Sequence, residues 1–203
     1  MRGLGHLAVR VTAGGLLAAH GAQKLAGWFG GPGLQGTAGM LESQGLRPAR
    51  SWAPLAALSE TVGGGLTALG LFSPVGPIVS LAPMAIAAGT VHRGKPIWAY
   101  AGGAELPLTN IAVALDQAIE GPGPWSLDRL FGIRVPRPLV AALMAATSAG
   151  VAAAVAMSWA SSQAPAPDEQ PGSAQRAAGL GDAEADGRGP VLGEVPSAAG
   201  SRA

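Results

Sequence analysis

A chain of 203 residues that is 48% hydrophobic and 12% charged, with a formal charge of +1, carries no electrostatic footprint for nucleic acid and too few charges for an ordinary water-soluble surface. It has no cysteine, so it supplies no disulfide, thiolate metal ligand, iron–sulfur cluster or thiol nucleophile. A mean hydropathy of +0.32 and several long charge-free runs point instead to helices whose solvent is lipid.

The first span is expected over residues 9–26. It reads as retained rather than cleaved, because Arg10 interrupts its early part and Gln23-Lys24 leads into a glycine-rich turn instead of a processing site. Lys24 lies one helical turn beyond His20, so both can project to one face. An ionisable group near the bilayer centre costs roughly 2.5 to 3.5 kcal/mol on insertion scales, so such groups pair, face inward or serve a function. The exit from Gly27 to Gly36 holds five glycines and Pro32 and demands irregular backbone. Thr37 to Leu46 then reads as a short interfacial helix with Thr37 near its start and Met40 and Leu41 on one face.

Span two, residues 53–72, carries a single charge, Glu60. Ser59 with Gly63, and Thr61 with Gly65, form two pairs of small residues four apart that let a neighbouring backbone come close. The run Gly63-Gly64-Gly65 weakens the helix and leaves room for a kink or pocket beside Glu60. A turn as short as Phe72-Ser73-Pro74 forces an antiparallel hairpin with span three, residues 73–91, which is uncharged and kinked where Pro83 frees a carbonyl.

Polar surroundings return at Val91-His92-Arg93-Gly94-Lys95, and span four follows over residues 103–120. Glu105 caps its entry, or the preceding Gly102-Gly103 lets a ligand reach the backbone; Asp116 and Glu120 are one turn apart and solvated. Ser126 and Asp128 suit the start of a short amphipathic helix ending near Phe131. Residues 138–160 form a fifth, uncharged span with a packing stripe at Ala145, Ala149 and Ala153. From Ser161 onward, Pro, Ala, Gly, Ser and acidic residues without apolar periodicity read as a disordered, mildly acidic tail.

Trp28, Trp52, Trp98, Trp125 and Trp159 all fall at or just beyond the end of a span, the placement of an aromatic belt. Alternating strand patterns are absent. The fold expected is therefore all-α, a polytopic membrane helix bundle: a four-helix domain over 1–136, an additional transmembrane helix over 137–160 and a disordered tail over 161–203. Basic residues divide almost evenly between the two ends, with the three before span five and two near the first tipping the amino terminus slightly inward.

Four motifs occur in order: His20-Gly-x-Gln-Lys-Leu-x-Gly-Trp-Phe-Gly-Gly-Pro-Gly33, Glu60 followed by Gly63-Gly64, His92-x-Gly-Lys95, and Gly102-Gly103-x-Glu105-x-Pro-Leu108. Together, over roughly residues 8 to 128, they resemble the DoxX family of bacterial inner-membrane proteins. The resemblance implies a compact four-helix membrane domain related to the DoxD-type subunit of thiosulfate:quinone oxidoreductase. It also implies association with a soluble redox enzyme such as a superoxide dismutase or a sulfurtransferase. The fifth span and the tail lie outside it.

The side chains assigned to chemistry are Lys24, Glu60, His92 and Glu105 as catalytic groups, with His20, Gln23 and Trp28 as cofactor-binding neighbours. Lys24 or His20 would stabilise charge developing on a quinone carbonyl, and a glutamate would exchange protons. Glu60 and Glu105 are both open as the acidic partner of Lys24. The competing reading is that Lys24 pairs with a glutamate only to satisfy buried charge and fix helix register. His92 is either a proton exchanger at the site mouth or an ordinary interfacial imidazole, and His6 is expected to be exposed. Quinone is the cofactor considered; no spacing calls for a metal, and His20 with His92 does not require haem.

The leading expectation is an integral subunit, in a bacterial inner membrane, of a quinone-linked oxidoreductase acting on a small reduced, sulfur-containing substrate or in oxidative-stress defence. Two alternatives stand beside it. One is a noncatalytic scaffold that docks a soluble redox enzyme on the Gly27 to Trp52 connection; the other is a small-molecule or proton-coupled carrier built on Glu60 and the kinked third span.

Overall fold

The computed structural model of the chain describes residues 3–164, so the tail expected over 161–203 lies almost wholly outside the described residues. The described residues contain helices and no strand. Helices α1 (Leu4–Ala26), α2 (Gly33–Ser43), α3 (Ala49–Leu69), α4 (Val75–Gly89), α5 (Glu105–Glu120), α6 (Leu127–Phe131) and α7 (Arg137–Gln163) follow one another, with short 3-10 turns at Trp28–Gly30 and Ala99–Ala101. Each of the five long elements coincides with one of the expected spans, and α2 and α6 with the two expected short helices.

Glycine sets the packing of the first three. On α1, a Cβ at Gly14 would lie 2.6 Å from the backbone nitrogen of Ala68, and one at Gly21 would collide with the backbone nitrogen and hydroxyl of Thr61. On α3, a Cβ at Gly64 would lie 2.5 Å from the backbone nitrogen of Ala18. The neighbouring Gly63 faces the other way, where a Cβ would sit 2.7 Å from the hydroxyl of Ser80 on α4. Two consecutive glycines thus let α3 touch α1 on one side and α4 on the other, backbone against backbone. Gly65 meets open space, so the expected Thr61/Gly65 pair is not a packing pair; contact passes through Gly63 and Gly64, and the glycine run is consumed by close approach rather than by a hollow.

The end of the bundle where α1 begins is tied by polar side chains. Asp128 is buried and accepts the backbone N–H groups of Phe72 at 2.8 Å and Ser73 at 2.7 Å, closing the α3–α4 turn. Ser126 caps α6 by accepting from the Arg129 backbone, as its position suggested. Arg10, also buried, donates to the Trp125 carbonyl at 2.6 Å. His6 is half-buried rather than exposed: its Nε2 lies 2.7 Å from the Gly121 carbonyl, because the α5 exit folds back over the start of α1.

At the opposite end, α7 returns to α4 and to the α2–α3 connection. The Trp159 indole donates to the Gly89 carbonyl at 3.1 Å, the Arg93 guanidinium lies 4.5 Å from the Trp159 ring centroid, and the Ser161 hydroxyl donates to the Gly45 carbonyl. Ala154 packs with Leu41, Leu46, Ala49 and Ala53. The expected stripe of Ala145, Ala149 and Ala153 is exposed, and the buried positions of α7 are Ala154 and Ser158. The face is displaced by one residue, about 100° of helix rotation, because α7 is apolar on every side and its sequence does not mark which side meets a neighbour. Helix α7 also runs to Gln163, past the expected tail boundary, since Ser161 still makes contact with Gly45.

Polarity is inverted relative to a water-soluble domain. Among the described residues ten polar or charged residues are buried beside nine hydrophobic ones, so the interior is not the greasier side. Leu55, Leu58, Val62 and Leu69 of α3, Leu16 of α1 and Ile119 of α5 point outward and are exposed. By length and composition, α7 is the one described helix able to cross a membrane unaided.

Candidate functional site

Helix α1 ends at Gly27, whose left-handed backbone lets its N–H reach back to the Gln23 carbonyl at 3.1 Å. Lys24 therefore sits in the final turn, and the glycine contact at Gly21 holds that turn against α3. The Lys24 ammonium donates to Glu60 Oε1, an ion pair between two helices. Glu60 is 0% exposed, whereas the lysine side chain keeps 25% of its surface. Of the two acidic partners open in the sequence, the structure selects Glu60.

The pair stands on the wall of a cavity of about 370 Å³ that is partly open to the surface and lined by α2, α3, α4 and α7. Its surface is overwhelmingly apolar, with Leu41, Leu46, Trp52, Leu55, Val79 and Ile86 among the lining side chains. Pro83 lies inside α4 and on this wall, and Ala146, Thr147 and Gly150 of α7 close the far side. The polar lining includes Lys24, Glu60 and Thr37. Thr37, expected near the start of α2, lies in its middle, because the helix begins at Gly33; it is wholly buried.

Two of these lining residues each keep a buried oxygen without a partner, Glu60 Oε2 and Thr37 Oγ1. An unmet buried polar atom costs roughly 1–3 kcal/mol, more when charged, so a cavity lined by two such residues is chemically incomplete. A volume of this size, apolar walls and few convergent polar groups are the properties of a small-molecule site.

The other candidate residues lie elsewhere. His20 is exposed on α1, and Trp28, 63% exposed, meets Phe29 edge to face. Gln23 is half-buried against Gly31, where it supports the α1 exit. His92 Nδ1 lies 2.7 Å from the Gly102 carbonyl, and the Glu105 carboxylate accepts the Ala99 N–H at 2.8 Å. Those two bonds knit the loop between α4 and α5, while its flanking residues Thr90, Val91 and Pro107 reach the cavity. Gly103 is pressed against the backbone of Pro96 and Ile97, so the glycine pair accommodates the loop's own chain rather than a ligand. Asp116 and Glu120 are exposed, as expected. Thr37 was missed as a site residue; its small polar side chain on a helix resembles many structural threonines.

The molecule described is thus an all-helical protein with apolar outward faces, a polar interior and an apolar cavity carrying a buried ion pair. Residues 5–93 match the DoxX family model. Over that segment, which is under half of the chain, the protein is similar to the membrane-associated DoxX family. The matched segment supplies α1 to α4, including Lys24, Thr37 and Glu60, and ends at Arg93, short of α5 and α7. No match was found among curated proteins or solved structures.

Proposed function

We propose that this is a multi-pass inner-membrane protein whose cavity binds a quinone, and that it serves as the membrane subunit of a quinone-linked oxidoreductase acting on a small reduced substrate, sulfur compounds included. The observation that carries the reading is the Lys24–Glu60 pair on the wall of an apolar cavity that a lipophilic ring and chain could enter. Leucine and valine on the outward faces of α1, α3 and α5 support a lipid surround. So do Trp28, Trp98 and Trp159 gathered at one end of the bundle and Trp125 at the other.

A bound quinone would supply the two-electron, two-proton acceptor. Lys24 would place positive charge beside it, and Glu60 would hold or pass a proton. The chain has no cysteine, so any sulfur transfer belongs to a partner such as a sulfurtransferase, and disposal of superoxide to a dismutase. Mass spectrometry of an organic extract of the purified protein tests the proposal. Quinone near one equivalent, above a matched membrane-protein control, is the expected result; a level equal to the control after mild purification in native lipid would remove it.

Exposed aromatics at the α1 exit, Trp28 and the 74%-exposed Phe29, favour a second reading as a docking scaffold for a soluble redox enzyme. Glu60→Gln separates the two: it abolishes quinone-linked turnover under the first and leaves partner recruitment intact under the second.

A further inference from the structure

The buried hydroxyls of this bundle normally satisfy themselves. Thr67 donates to the Gly63 carbonyl at 2.7 Å, Ser80 to Gly76 at 2.9 Å and Thr90 to Ile86 at 2.7 Å, each one turn back along its own helix. Thr37 does not, although it is 0% exposed and lies within α2. Glu60 is equally buried and uses only one of its two oxygens, on Lys24. Both residues line the cavity, and each keeps one buried oxygen without a partner: a carboxylate oxygen on Glu60 and the hydroxyl of Thr37.

The charges restrict what can meet them. Lys24 and Glu60 cancel, so an anionic head would face the carboxylate and a cationic one the ammonium, with apolar walls around either. A neutral head is favoured. It must donate a hydrogen bond to Glu60 Oε2, which accepts only, and it gains further by accepting one from the Thr37 hydroxyl. A single hydroxyl group does both.

We infer that the cavity selects a neutral molecule with a hydroxyl head on an apolar body, the hydroxyl donating to Glu60 Oε2 and accepting from Thr37. This rests on the ligand-cavity reading proposed above and sharpens it: of a quinone and its quinol, the quinol is the tighter ligand, because the quinone has no proton to give to Glu60.

The test is binding of tritiated 4-octylphenol to the full chain in lipid nanodiscs, competed by unlabelled 4-octylphenol and by its methyl ether, which keeps the ring and chain but has no donor. The phenol should bind about tenfold more tightly than the ether, the scale of one hydrogen bond to a charged acceptor. Thr37→Val, nearly the same shape, removes the donor to the ligand oxygen and should weaken the phenol severalfold and the ether as well, because the ether oxygen still accepts. Glu60→Gln should reduce the preference, and Thr37→Val provides a readout should that variant fold poorly. Equal affinity of phenol and ether in the wild-type chain overturns the hydroxyl selection and leaves the cavity as a site for apolar molecules. Binding of neither overturns both the selection and the ligand cavity itself.

Discussion

Glu60 is the residue on which the site turns, and its pairing with Lys24 has an energetic signature. Removing one member of a buried pair leaves the other charge uncompensated and costs about 3–5 kcal/mol, whereas replacing both by apolar groups is often neutral. Lys24→Met should therefore lower the thermal unfolding temperature in detergent clearly, and the double variant Lys24→Met/Glu60→Leu should recover most of the loss. A double variant less stable than the single one would mean that the pair is not the source of the effect. The glycines give a second contrast. Gly64→Ala puts a methyl group 2.5 Å from the Ala18 backbone and should cost about 1–3 kcal/mol, while Gly65→Ala, facing open space, should be neutral or stabilise by up to about 1 kcal/mol. Equal unfolding temperatures for the two variants would remove the backbone-to-backbone packing of α1 on α3. Both glycines sit in one run of three, and nothing in that run says which of them touches a neighbour; the answer depends on the rotation of α3 between α1 and α4.

Single elements carry distinct jobs. Helix α6 is only a turn long, yet through Asp128 it caps the α3–α4 hairpin with two charge-assisted hydrogen bonds. Asp128→Ala should cost on the order of 2–3 kcal/mol, read as a lower unfolding temperature, and the more conservative Asp128→Asn should keep part of it. The sequence indicated that Ser126 and Asp128 begin a helix, and both do; the Asp128 carboxylate also acts on residues 55 and 56 positions away, a reach that no local pattern encodes. Helix α7 walls the cavity with small side chains although it lies outside the matched domain. A Cβ added at Gly150, which lines the cavity, meets no neighbouring atom within 4 Å, so Gly150→Leu should fold and project into the cavity, cutting retained ligand severalfold in the extract. Ala152→Leu, on the exposed face, should leave retention unchanged. If both variants retain ligand equally, α7 does not bound the site.

At the scale of the whole molecule, the inverted polarity predicts which surfaces meet water. The absence of native cysteine makes this directly measurable with single introduced thiols. Ser43→Cys, at the end of α2, and Glu120→Cys, at the end of α5, lie at opposite ends of the bundle and should label with a membrane-impermeant maleimide from opposite sides of oriented vesicles. Labelling of both from one side would contradict a bundle that crosses the membrane. Helices α4 and α5, with 15 and 16 residues, are each shorter than the ~20 residues of a standard crossing. The connections that follow and precede them would then lie within the membrane's interfacial depth, where His92 and Glu105 satisfy the loop's own backbone.

Helix number, order and approximate ends were legible because they depend on local quantities: runs without charge, glycine and proline at the breaks, and a serine at a cap. Lys24 and Glu60 were legible as candidates because a charge in an apolar run is costly wherever the helix packs. The partner of Lys24, the burial of Arg10 and Thr37, the face of α7 and the walls of the cavity beside Glu60 were not. Those depend on helix rotation and separation, set by contacts among glycines far apart in the chain. A periodic apolar pattern identifies a helix, but where outer and inner faces are nearly equal in polarity it cannot say which way the helix turns. The tertiary packing made that choice, and with it brought two residues with unmet oxygens to the lining of one apolar cavity.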